Sequence, residues 1–237
     1  PDSFQVANAL NNLAVAAANQ GRYGEAVAAL RDSHARHVRL FGAAHPRTIN
    51  AARNVGMALF LGDRASECVT WMRAAADQRH RVAGGTDASA AYMRAQLARC
   101  LARSGEAREA VTTLERALPV LEASGSGAAG YLANARLWLA TMLLADGEVR
   151  RAGPLLRAAV AQLRVLHPET HPARLEAECE LSHLLLVEGR GADAHAAATS
   201  CLARLGRASS MPTWRVEAAR DLSRELGARP DRTVSRR

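Results

Sequence analysis

The side chains best suited to chemistry here are a few histidines, cysteines and amides, and their spacing decides what they can do. His34 and His37 stand three apart, and His167 and His171 bracket Glu169 in HPETH (167–171). Two imidazoles and a carboxylate could hold a metal. The first pair, however, stands without a recognisable ligand motif around it. In the second, Pro168 and Pro172 disfavour a regular helix, and the glutamate is not in the H-E-x-x-H position. Neither is read as a metal site. His45-Pro46 and His171-Pro172, 126 residues apart, read instead as turn residues that precede helices.

Cys68, Cys100, Cys179 and Cys201 lie far apart with no C-x-x-C pair, which fits neither a zinc ribbon nor a disulfide scaffold and suggests a reducing compartment. Cys68 reads as a small buried hydrophobe, and Cys179 as the one thiol worth testing for reactivity. There is no lysine, so the 31 basic residues are all arginine. That excludes a P-loop, the phosphate-binding lysine of a protein kinase and a Schiff-base lysine. Glu115/Arg116 and Glu176/Glu178/Glu180 read as ordinary helix-surface charges. No constellation rises to catalysis, and no cofactor is expected.

Amides form the remaining pattern. In ALNNLAVAAANQGRY (9–23), asparagines sit inside a run of good helix formers, where asparagine is a poor choice. On a helical wheel Asn8, Asn11, Asn12, Val15 and Asn19 share an arc of about 100°. Leu10, Leu13, Ala14 and Ala17 lie opposite and form the expected buried stripe. A carboxamide both donates and accepts, so a row of them can hydrogen-bond an extended backbone whatever its side chains.

The elements that must position these residues follow from an internal repeat of 42 residues. Stepping by 42 from Leu13 gives Val55, Leu97, Leu139 and Leu181. From Ala14 the step gives Gly56, Ala98, Ala140 and Ser182. From Ala26 it gives Cys68, Ala110, Ala152 and Ala194, and from Leu30 it gives Met72, Leu114, Leu156 and Ala198. Glycines at 21, 105, 147 and 189 share a register, with Gly62 displaced by one. Each unit reads as two helices around a glycine suited to the left-handed conformation that ends a helix. Small residues, one column per helix, allow close backbone approach. Inter-unit turns are expected at 42–48, 84–89, 124–130, 167–173 and 207–213.

The composition agrees with an all-α chain: 49% of the 237 residues are apolar but only 4% aromatic, and no strand-length alternation occurs. The longest apolar run, from Leu137, has nine residues against the ~20 that span a bilayer. PDSFQV lacks a signal-peptide pattern and a starting methionine and enters a helix at once, so a fragment of a longer, cytoplasmic protein is expected.

ALNNLAVAAANQGRYGEAVAAL (9–30), LFGAAHPRT (40–48) and GEAREAVTTLERAL (105–118) together resemble the tetratricopeptide repeat, in its long form of kinesin light chains. The resemblance implies a right-handed α-solenoid of five helix-turn-helix repeats, at about 3–44, 45–86, 87–128, 129–170 and 171–211. A capping helix (212–226) and a disordered tail (227–237) complete a single 1–226 domain and its extension. It also implies that the first helices line a concave groove where a peptide binds, and that bacterial Ser/Thr kinases or transcription regulators are plausible parents.

Transferred through the register, the groove comprises the α-helical face already named plus Asn50, Arg53, Asn54, Met57 and Phe60. Tyr92, Arg99 and Arg103 follow, then Asn134, Leu137, Trp138 and Thr141, then Glu176, Cys179, Glu180 and His183. Phe60 and Trp138 fit either the groove or the core. The expected function is a non-catalytic scaffold for a protein or peptide with acidic and apolar residues. A peptide-sensing receptor and an arginine-mediated nucleic-acid module are the alternatives. For the latter, the 31 arginines are scattered over every repeat and offset by 23 acidic residues.

Overall fold

The computed structural model of the chain describes residues 3–84, 86–205 and 224. The expected capping helix and tail lie outside the described residues, Arg224 excepted. Among the described residues there are ten α-helices and one 3-10 turn, and no strand. They are α1 (Phe4–Asn19), α2 (Tyr23–Phe41), α3 (Pro46–Leu61), α4 (Ala65–Ala83), α5 (Ala88–Arg103), α6 (Ala107–Ala123), α7 (Ala129–Ala145), α8 (Val149–Leu166), α9 (Pro172–Val187) and α10 (Gly191–Leu205). The 3-10 turn spans Gly125–Ala128. No helix among the described residues is long and apolar enough to cross a membrane.

The described residues fall into two compact units that divide between Tyr131 and Leu132. In the first, each helix packs on the next in chain order from α1 to α6, both within the hairpins and between them. In the second, α9 packs on both α8 and α10.

The repeat columns are the core. Ala14, Gly56, Ala98, Ala140 and Ser182 are all buried, as are Ala26, Cys68, Ala110, Ala152 and Ala194. Leu30, Met72, Leu114, Leu156 and Ala198 fill the larger column between them. At Gly56 the approach is closest: a Cβ there would stand 2.6 Å from the Met72 side chain.

Turn chemistry follows the same register. Gly21, Gly105, Gly147 and Gly189 all have positive φ. In the second repeat Gly62 does not take that conformation; Asp63 does, with φ 59°. Asp63 is the residue 42 beyond Gly21, so the geometry kept the register and the glycine did not. The His-Pro turns cap the helices they precede. Each histidine accepts at Nδ1 from a backbone N–H two residues on, His45 from Arg47 at 3.2 Å and His171 from Ala173 at 3.3 Å. Asp87 does the same for α5, accepting from the Ala90 N–H at 2.7 Å.

Two expectations fail. Leu13 is 57% exposed, although its counterparts Val55, Leu97 and Leu139 are buried. The cysteines are not isolated: Cys68 is bonded to Cys100 and Cys179 to Cys201. Sequence separations of 32 and 22 residues bridge neighbouring helices, α4 to α5 and α9 to α10. Stacked hairpins bring such positions together, so distance along the chain was no guide to pairing. Cys68 is buried as expected, but as half of a disulfide, and Cys179 is not a free thiol.

Candidate partner-binding face

The first unit carries the best-defined part of the face, on α1, α3 and α5. Asn8, Asn12, Val15 and Asn19 are exposed on α1, and Asn11 is half-buried beside them. Asn50 is exposed on α3, with Arg53, Asn54 and Met57 half-buried. The two helices are tied by their amides: Asn54 Nδ2 donates to Asn11 Oδ1 at 2.9 Å. Arg53 donates in turn to Asn54 Oδ1 at 2.8 Å. Asn54 is thereby oriented, and its exposed neighbours Asn8, Asn12 and Asn50 surround a fixed amide pair.

From α3 to α5 the contact changes character. Phe60 is 4% exposed, so it belongs to the core rather than the surface. The Arg99 guanidinium lies over its ring, 4.2 Å from the centroid. A cation held this way contributes about 1 kcal/mol and is fixed in place. Tyr92 is half-buried and stacks on Tyr131, centroids 4.1 Å apart. Arg103 is drawn to Asp63, with which it forms an ion pair, so part of its charge is already compensated. Gln96, in register with Asn12 and Asn54, is buried, and its Oε1 has no hydrogen-bond partner.

The second unit holds the remaining candidates. Asn134 and Thr141 are half-buried on α7, Thr141 donating to the Leu137 carbonyl at 3.1 Å. Leu137 and Trp138 are buried, so the indole is a core residue. On α9, Glu176 and Glu180 are half-buried, His183 approaches Glu180 at 4.0 Å, and Cys179 is in its disulfide.

Glu178 departs furthest from the sequence reading. It is buried rather than a surface charge, at 5% exposure, and three arginines converge on it. Arg164 reaches it at 2.8 Å and Arg174 at 3.3 Å, and Arg204 closes the cluster. Burial pushes the carboxyl up, and hydrogen bonds from Arg164 and Arg204 outweigh it and hold it below the ordinary carboxylate range. Its one sequence signal was its register with Leu10, half-buried in α1. Tyr131 and Asp63 were missed for a simpler reason: neither belongs to a column that sequence alone marks as facing a partner.

The histidines considered for metal have other roles. His34 meets Trp71 edge-on at 5.1 Å, His37 hydrogen-bonds the Ser33 carbonyl at 2.8 Å, and His167 stacks on His171 at 3.7 Å. Among the described residues no group of three or more metal-ligating side chains forms.

Residues 6–47 match the tetratricopeptide repeat family. No curated protein matches the chain in sequence. A Podosopora anserina protein, described as a kinesin light chain with nearly identical TPR-like repeats, is similar in structure at TM-score 0.65 and 20% identity, covering 86% of this chain and 96% of that one. BtubC (BKLC) of P. vanneervenii is similar at TM-score 0.59 and 16% identity, covering 89% and 94%. A Rap protein complexed with competence and sporulation factor is similar at TM-score 0.62 and 12% identity, covering 94% of this chain and 64% of that one. At such identities the likeness is one of fold. Residues 6–47 thus carry a match to the tetratricopeptide repeat, and the helical hairpins beyond them share the fold of these TPR-like structures.

Proposed function

We propose that the chain is a non-catalytic interaction scaffold that binds an extended segment of a protein partner along the face of α1, α3 and α5. The observation that carries this is the oriented amide pair Asn11–Asn54 set among exposed Asn8, Asn12 and Asn50. These amides offer donors and acceptors at a polypeptide's main chain, and charged residues are absent from α1 altogether. Arg99, fixed over Phe60, adds a cation at the far side of the face. A segment with an acidic residue near its centre and apolar residues beside it complements that order. Each arginine–carboxylate contact contributes about 1.5–3 kcal/mol. In the second unit, taken by itself, Asn134, Thr141 and His183 are the residues assigned to a partner. The Rap protein solved with its factor supports a second reading, in which the ligand is a small signalling factor rather than part of a larger protein.

A displayed library of extended peptides tests the proposal. Peptides selected on the intact chain should lose binding by at least about tenfold, some 1.4 kcal/mol, when Asn11→Ala, Asn50→Ala and Arg99→Ala are combined. Undiminished binding to that variant, with its circular dichroism intact, would reject the site.

A further inference from the structure

Val6, Ala9, Leu13 and Ala16 follow at steps of three, four and three along α1 and so share one helix face. That face is open. Val6 is 38% and Leu13 57% exposed, and both alanines are exposed. One repeat on, Thr48, Ala51, Val55 and Ala58 hold the same positions in α3, and all four are buried. Two repeats on, Ala90, Met93, Leu97 and Cys100 of α5 are buried as well.

What covers the buried stripes is the same element each time, the second helix of the preceding hairpin. α2 packs on α3, with the Thr48 hydroxyl donating to the His37 carbonyl at 3.2 Å. α4 packs on α5, with Cys100 bonded to Cys68. A repeat at the end of a solenoid keeps a polar outer face. α1 has no charged side chain along its length, FQVANALNNLAVAAAN. Its outer face is built like an internal one.

We propose that this stripe is a stacking face occupied by the second helix of one further hairpin of the same repeat, lying ahead of α1 in the same polypeptide. The argument rests on the register of α1, α3 and α5 and is independent of any partner segment on the amide face. The occupant must present an uncharged, apolar stripe opposite Leu13, because α1 offers no charge to pair with one.

The test compares two proteins, the chain as given and the same chain extended through the ~40 residues encoded ahead of it, about one repeat. Amide exchange in α1 should slow by about tenfold or more in the extended protein. Leu13→Arg should leave the melting temperature of the given chain unchanged, since the site is open and arginine is a good helix former. The same change should lower that of the extended protein by several degrees. Equal exchange and equal Leu13→Arg effects in the two proteins would overturn the proposal, as would a reading frame offering no such hairpin. A given chain that sediments as a dimer, and as a monomer after Leu13→Arg, would overturn it by making a second copy the occupant.

Discussion

At the scale of single residues, Glu178 and Asp63 carry more than their sequence context suggests. Glu178 is a buried carboxylate among Arg164, Arg174 and Arg204. Removing one partner of a buried cluster leaves uncompensated charge, so Glu178→Ala should destabilise the second unit by about 3–5 kcal/mol, read from chemical denaturation. The folded-state pKa of Glu178 is depressed. Its contribution is therefore fully present above the unfolded value of about 4.3 and lost as pH falls through the folded one. Wild-type stability should drop on acidification below about pH 4.3 more steeply than that of Glu178→Gln. Asp63 holds a left-handed conformation that its register counterparts give to glycine. Asp63→Gly removes that strain and also the exposed pair with Arg103, worth about 0–1 kcal/mol. The expected net change is a stabilisation of up to about 1 kcal/mol, and any net loss of stability would mean the Arg103 pair outweighs the strain.

At the scale of helices, the second helices are linked by an ion-pair ladder in register. Arg31 meets Glu67 and Arg73 meets Glu109, each at 2.7 Å. All four side chains are well exposed, so the ladder adds little stability, and the packed columns must supply the rest. Leu114, fully buried in α6, should cost about 2–5 kcal/mol when truncated to alanine. The two disulfides tie α4 to α5 and α9 to α10. Closing loops of these lengths stabilises by about 3–4 kcal/mol each in the chain-entropy account. Unreduced, unfolded protein should show no titratable thiol, and reduction should lower the melting temperature. Four free thiols before reduction would contradict the pairing.

At the scale of the whole molecule, the helices, turns and small-residue columns were legible because each obeys a periodicity that one sequence displays five times. What one sequence cannot display is which positions of different repeats become neighbours. The Cys68–Cys100 and Cys179–Cys201 pairs, the arginines around Glu178 and the Tyr92–Tyr131 stack all depend on such neighbourhood. Leu13 illustrates the converse: its column is core wherever a preceding helix exists, and α1 has none among the described residues. Of the amide face, the arc on α1 was readable from helical spacing alone. That Asn54 is bound to Asn11, that Phe60 lies under Arg99 and that Trp138 is buried required the packing of one helix on another.

The most direct test of the central claim is amide hydrogen exchange with and without a selected peptide ligand. Binding along the first helices of each hairpin predicts slowed exchange in α1, α3 and α5, with α2, α4 and α6 unchanged. Protection confined to α2, α4 and α6 would place the partner on the opposite face and contradict the account.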